Sequence, residues 1–150
     1  MPSIVVRGTA HPPPPKNGSR LNKADLTRAE IASTNISGRP LLNEHDHDAV
    51  VGNCLASWKG TDGSLRIAAE VSDQETVNAI KGGHLRGLSL GTDMVLDTSG
   101  DVIYRNQVEL SVCEEGKRHG TWIDTIDGNI VRAVECASAK KISAFDRLGM

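Results

Sequence analysis

A single serine lies between two glycines on an apolar run, Arg86 to Thr92, with the sequence RGLSLGT. Leu88 and Leu90 alternate with Ser89, so an extended strand would point both leucines to one face and the serine to the other. The flanking glycines have no Cβ and let a substrate backbone or a neighbouring strand come close to the hydroxyl. The run therefore predicts a strand and makes Ser89 a candidate nucleophile. A buried serine that only bonds to its neighbour fits the same run.

The composition and the net charge limit both the domain organisation and the kinds of partner that the chain can bind. The 150 residues are 38% hydrophobic and 24% charged, which predicts one globular domain over residues 1–150. With 3% aromatic residues, the core must consist of Val, Ile, Leu and Ala. A net charge of -2 provides no basic patch for nucleic acid or for a membrane surface. We found neither a signal-peptide core nor an apolar run near the roughly 18 residues of a membrane span. We therefore expect neither a nucleic acid nor a membrane as a partner.

Cysteine usage bears on redox compartment and metal binding. Cys54, Cys113 and Cys136 are an odd number without a CxxC pair, so a disulfide framework or a zinc site is not expected. We interpret them as reduced, partly buried thiols in a reducing compartment. The sequence thus predicts neither a cofactor nor a metal.

A dense polar cluster, Asn43 to Asp48, lies between two apolar runs and predicts a loop between strands. Its histidines, His45 and His47, would share one side of an extended segment. Three interpretations stay open from these residues alone: a metal site with nitrogen and oxygen ligands, an ordinary solvated loop, or the location of a general base. A general base needs a serine in reach and a third group that orients it.

Other segments predict the surrounding elements. Leu65 to Val71 alternates apolar and polar residues and predicts a strand. Ser72, three residues ahead of Glu75, indicates a capping box at the start of a helix. The proline-rich residues 11–19 predict a loop, and apolar residues at helical spacing from about residue 128 predict a helical tail.

Two further features could carry chemistry. Glu109 alternates with Val108 and Leu110 in a strand-like run, and it would be costly to bury without a partner. Lys117 and Arg118 lie in a glycine-flanked loop whose backbone donors and positive charge could hold an anion. A solvated charged turn fits that loop equally well.

Three blocks of this chain resemble the herpesvirus capsid maturation proteases, the assemblin family, and more distantly the prohead proteases of tailed phages. The blocks are PLLNEHDHDAVVG (residues 40–52), GLSLGT (residues 87–92) and VELSVCEEGKRHGT (residues 108–121), in the family's order and at compatible separations.

The resemblance implies a role for each block. It places the nucleophile on Ser89 and the general base on His45, and it gives His47 no role. Herpesvirus enzymes generally carry a second histidine as the third member, whereas this chain has Glu109 there; a carboxylate can also orient the imidazole. His119 is the alternative third member. The resemblance further implies an oxyanion site formed by the backbone N–H of Lys117 and the side chain of Arg118.

The family also implies a fold and a function. The expected fold is mainly β with peripheral helices, an α+β chain built as a single closed, mostly antiparallel β-barrel. The expected function is a serine endopeptidase that cuts capsid scaffold protein, or its own precursor, after alanine. It would act in the immature capsid of an infected cell, in the nucleus if herpesvirus-like and in the cytoplasm if from a phage. Assemblin domains are longer and dimerise through C-terminal helices, so the interface of a homodimer of this chain is expected to be different, truncated or absent.

Two other functions stay open at this level. An inactive capsid- or scaffold-associated binding protein could use the same fold. A metal-dependent hydrolase could use the paired histidines, and insensitivity to chelators would remove that option.

The tail contains a candidate self-cleavage site. Residues 134–138 (VECAS) resemble the family's maturation sites, with an aliphatic residue three places before an alanine that is followed by serine. This predicts cleavage between Ala137 and Ser138. A packed helix would carry the same small residues and would have to unwind before cleavage.

Overall fold

Strands dominate the computed structural model, which describes residues 2–19 and 25–132. The eight strands are β1 (Ile4–His11), β2 (Pro40–Asn43), β3 (Asp46–Lys59), β4 (Leu65–Val71), β5 (Gly87–Leu96), β6 (Val102–Cys113), β7 (Ile123–Ile126) and β8 (Asn129–Ile130). The two helices, α1 (Arg28–Ser33) and α2 (Gln74–Lys81), are short. This confirms the mainly β class with few helices. No helix in the described ranges is long and apolar enough to cross a membrane.

All eight strands belong to one sheet in the order β5-β6-β2-β3-β4-β1-β7-β8. Neighbouring strands are antiparallel except β2 and β6, which are parallel and pair Leu41 with Leu110 and Asn43 with Val112. This parallel pair joins segments that are far apart in sequence. It sets the turn that follows β2 beside the last residues of β6.

The sheet curls into a half-barrel rather than the closed barrel that the resemblance implies. Its two edges approach at one isolated bridge between Gly87 and Trp122. The backbone N–H of Leu88 donates to the carbonyl of Thr121 at 3.1 Å beside that bridge. Beyond it, β5 pairs only with β6 within the described residues, and the hairpin of these two strands runs outward with exposed apolar side chains. Closure is therefore limited to the first residues of β5.

The buried core consists of Ile, Leu, Val and Ala side chains and one Cys. Leu88 and Leu90 of β5 belong to it, as the alternation around Ser89 predicts. Cys54 and Cys113 are free, buried thiols, and burial raises the pKa of each to about 11. The sequence predicted partly buried, reduced thiols, and the structure places these two cysteines unpaired and inside the protein; Cys136 lies outside the described residues.

Helix α2 begins one residue later than the predicted capping box requires. The cap is Asp73, whose side chain accepts from the backbone N–H of Thr76 at 3.0 Å. Ser72 lies one residue before the cap, where its own N–H and hydroxyl both donate to the carbonyl of Val51 on β3. The predicted box of Ser72 and Glu75 is therefore wrong.

The predicted loop and tail are seen in part. Residues 12–19 follow β1 without a helix or strand, and His11 ends β1. Within the predicted helical tail, residues 129 and 130 form strand β8. Residues 133–150, including Ala137 and Ser138, lie outside the described residues.

Gly8 marks the point where β1 passes closest to the start of β5 and to the segment before β7. A Cβ at Gly8 would overlap the carbonyl oxygen of Trp122 and would lie 2.8 Å from Cδ1 of Leu88. Because the first obstacle is backbone, we expect Gly8→Ala to lower the free energy of unfolding by about 1–3 kcal/mol. Urea unfolding measures this, with Arg7→Ala on the exposed face of the same strand as control. Equal midpoints for the two variants would contradict this packing.

Candidate active site

Ser89, His45 and Glu109 form one continuous hydrogen-bonded line. The hydroxyl oxygen of Ser89 lies 2.9 Å from Nε2 of His45, and Nδ1 of His45 lies 2.5 Å from Oε1 of Glu109. The three side chains come from β5, the β2–β3 turn and β6. The structure thus brings together the three residues that the sequence singled out, with a carboxylate able to fix the tautomer of the imidazole.

Ser89 faces away from the core, toward an open groove of about 380 Å³. Its strand, β5, pairs with β6 so that Ser89 lies opposite Ser111. The neighbouring Leu88 and Leu90 anchor the strand in the core. Ser89 itself is only 6% exposed and lies at the floor of the groove. The groove lining also includes Asp25, Leu90, Gly91, Thr92, Met94, Lys117 and Arg118.

His45 occupies a strained backbone position. The polar cluster is a two-residue turn, not the longer loop predicted from sequence, because Asn43 of β2 already pairs with Asp46 of β3. Both residues of the turn have positive φ, 50° at Glu44 and 62° at His45. A tight hairpin turn of this kind favours Asn and Gly, and each other residue in this region costs about 1–2 kcal/mol.

Two hydrogen bonds to β6 hold this turn in place. The backbone N–H of Glu44 donates to the carbonyl of Val112 at 2.9 Å, and that of His45 donates to the hydroxyl of Ser111 at 3.0 Å. The same hydroxyl lies 3.2 Å from Nδ1 of His45. Ser111 is fully buried, and sequence reasoning missed it. The signal for it was its position two residues after Glu109, which puts both side chains on one face of a strand.

Glu109 is 4% exposed and fits its position only because Gly91 lies opposite. A Cβ at Gly91 would overlap the Glu109 side chain from Cγ to Oε1. The glycines around Ser89 predicted a close approach by a substrate or strand; at Gly91 the approaching group is this carboxylate. His47, on β3, lies with Nε2 3.1 Å from the second oxygen of Glu109.

The loop that contains Lys117 and Arg118 borders the same groove. The Arg118 side chain is held by Asp25, which accepts from its Nε at 2.8 Å, and Asp25 is 7% exposed. The Arg118 carbonyl accepts from the hydroxyl of Thr121 at 2.7 Å. Asp25 is separated from Arg118 by 93 residues, and the local sequence around it carries no sign of the contact.

A buried histidine supports the segment that contains Asp25. Nε2 of His11 accepts from the backbone N–H of Leu26 at 2.9 Å, and its Nδ1 lies 2.7 Å from the carbonyl of Pro12. These partners assign the proton to Nδ1 and make the ring neutral. Burial lowers the pKa of His11, which agrees with a neutral ring. The end of β1 is thereby joined to the residue next to Asp25.

The remaining candidates lie apart from this line. His119 is exposed on the loop after Arg118, whereas Glu109 takes the position beside Nδ1 of His45. Across residues 2–19 and 25–132, no group of three or more His, Cys, Asp and Glu side chains is arranged to hold a metal ion.

Comparison with known proteins identifies the architecture. No family model matches the chain, and no curated protein matches its sequence. Among solved structures, a KSHV protease in complex with a hexapeptide phosphonate inhibitor matches 99% of this chain and 78% of its own, at 14% identity and a TM-score of 0.64. The chain has the fold of the herpesvirus proteases.

Two further structures agree. The varicella-zoster virus protease matches 99% of this chain and 78% of its own, at 15% identity and a TM-score of 0.57. A Kaposi's sarcoma herpesvirus protease with an allosteric inhibitor matches 98% of this chain and 92% of its own, at 14% identity and the same TM-score of 0.57. The fold resemblance drawn from three sequence blocks therefore extends over nearly the whole chain.

Replacing Ser111 tests how the turn is held. Ser111→Ala would remove the acceptor of the His45 N–H at a position that is already strained, so we expect a loss of about 1–3 kcal/mol in the free energy of unfolding. Urea unfolding gives the value, and Ser37→Ala, at an exposed serine outside the site, serves as control. If the two variants unfold at the same urea concentration, the Ser111 hydroxyl does not hold the turn.

Proposed function

We propose that this protein is a serine endopeptidase in which Ser89, His45 and Glu109 act as a catalytic triad. One observation carries the proposal: an imidazole on the floor of an open groove bonds a serine hydroxyl through one nitrogen and a buried carboxylate through the other. Geometry of this kind activates a serine for acyl transfer on unrelated folds. The fold of the herpesvirus proteases adds support.

The reaction follows from the hydrogen bonds. Nε2 of His45 accepts the hydroxyl proton while Ser89 attacks the scissile carbonyl carbon, and Glu109 stabilises the imidazolium that forms. The tetrahedral intermediate then breaks its C–N bond, and His45 returns the proton to the leaving amine. Water, deprotonated by the same imidazole, hydrolyses the acyl ester and regenerates Ser89.

We assign stabilisation of the oxyanion to the backbone N–H of Lys117 and to Arg118. Both residues line the groove beside Ser89. The carboxylate of Asp25 fixes the direction of the Arg118 guanidinium through a 2.8 Å bond to Nε. A preorganised positive charge of this kind stabilises negative charge that develops during the reaction and needs no further rearrangement.

The groove suits an extended peptide. β5 is an edge strand, and from Ser89 onward its second edge has no strand partner within the described residues. A peptide could pair with that edge and present a carbonyl to the serine, because main-chain bonds to a sheet edge hold a substrate in extended form.

For the substrate we propose capsid scaffold protein or the protein's own precursor, cut after alanine in the immature capsid of an infected cell. The likeness to the herpesvirus proteases and the VECAS segment at residues 134–138 support this assignment. We also propose a homodimer, since the similar KSHV protease has been solved with a dimer disruptor.

Ser89→Ala tests the nucleophile. We expect the wild type to cut a peptide of residues 130–145 between Ala137 and Ser138, and Ser89→Ala to lose this activity while unfolding at the same temperature. A fragment ending at Ala137 should likewise accumulate only in the wild type, as read by intact mass. Ser37→Ala controls for serine removal outside the groove. Unchanged cleavage by Ser89→Ala would refute the serine mechanism. A wild type that does not cut capsid scaffold protein would favour the alternative function, an inactive capsid- or scaffold-associated binding protein on the same fold.

Glu109→Gln tests the third member. The amide keeps the shape of the carboxylate but favours the wrong imidazole tautomer, so we expect peptide turnover to fall by up to about 10⁴-fold. Steady-state kinetics on the same peptide measures the loss. His119→Ala is the comparison, and a near-normal Glu109→Gln together with a strongly impaired His119→Ala would transfer the role to His119.

A further inference from the structure

One oxygen of the Glu109 carboxylate has no hydrogen bond. Oε1 contacts Nδ1 of His45, whereas Oε2 is buried and has no hydrogen-bond partner in the described structure. A buried charged oxygen without a donor costs about 1–3 kcal/mol or more. The nearby Ser111 hydroxyl contacts His45 and does not satisfy Oε2. This position therefore calls for a donor.

His47 is the side chain in reach of that oxygen. Its Nε2 lies 3.1 Å from Oε2, within hydrogen-bond distance but not aligned as a bond. The His47 side chain is 78% exposed, so its ring is free to turn into alignment. It stands on β3 directly after the turn that contains His45, so both histidines approach Glu109 from one hairpin.

We propose that His47 is a positioning residue, which donates from Nε2 to Oε2 and holds the Glu109 carboxylate between two imidazoles. The proposal rests on the triad proposed above. With both oxygens bonded, the carboxylate cannot rotate, and Oε1 stays in line with Nδ1 of His45 as the imidazolium forms. Without His47, the carboxylate is oriented by one bond alone. The proposal gives a role to His47, to which the sequence resemblance gave none.

Hydrolysis of p-nitrophenyl acetate measures this effect without a defined peptide. Loss of one hydrogen bond to a charged group predicts that His47→Ala lowers kcat by about 10-fold, with KM unchanged because substrate contacts are untouched. His47→Gln keeps an N–H donor and should recover to within about threefold of the wild type. His84→Ala removes an exposed histidine outside the site and serves as control. An unchanged kcat in His47→Ala, or no recovery in His47→Gln, would overturn the proposal.

A double-mutant cycle decides whether His47 acts through Glu109. In a Glu109→Gln background, His47→Ala should lower kcat by less than about twofold, because the carboxylate that it positions is gone. A second full 10-fold loss would show an independent role and refute the proposal.

Urea unfolding of the same four proteins of the double-mutant cycle separates this inference from the proposed function. If the wild type does not hydrolyse the ester at all, the protease assignment fails. Non-additive changes in the free energy of unfolding for the two substitutions would still support the His47–Glu109 contact, and additive changes would refute it.

Discussion

The parallel pairing of β2 with β6 is the contact on which the candidate site depends. It aligns Leu42 with Ser111 and Asn43 with Val112, so the chain must turn directly beside the strand that contains Glu109. The antiparallel β5–β6 pair then adds Ser89 from the other side. Parallel neighbours require a long connection, and here that connection includes β3, β4, α2 and β5. The three side chains of the candidate site are thus placed by two strand pairings and one tight turn rather than by long flexible loops, which is the more exact way to hold such geometry.

The backbone at His45 shows what this register permits. Positive φ at Glu44 and His45 is unfavourable in isolation, yet hydrogen bonds to Val112 and Ser111 of β6 offset the strain. Strained residues of this kind persist where the surrounding structure over-determines them, and they cluster at functional sites. From this turn the imidazole reaches both Glu109 on β6 and Ser89 on β5.

Local sequence patterns predicted the elements better than their arrangement. The alternation in Leu65 to Val71 matches β4, and that around Ser89 matches the buried and open faces of β5. The blocks that resemble the family also predicted the convergence of Ser89, His45 and Glu109. Asp25 and Ser111 were missed because their partners lie 93 and 66 residues away, and no local period records such contacts. The closed barrel was wrong because only the first residues of β5 reach the segment before β7, and no local pattern in the sequence records such a contact between distant segments.

We expect one serine of this chain, Ser89, to be activated as a nucleophile by the His45 imidazole and the Glu109 carboxylate bonded to it. The most direct measurement treats the folded wild-type protein with a fluorophosphonate and maps the modified residue by peptide mass spectrometry. A fluorophosphonate phosphonylates the serine of a triad and releases fluoride, because attack of the serine oxygen on phosphorus uses the same imidazole as attack on a carbonyl. We expect one adduct per chain, on Ser89, and no adduct when the protein is denatured before labelling. Absence of an adduct, or an adduct on another serine, would contradict it.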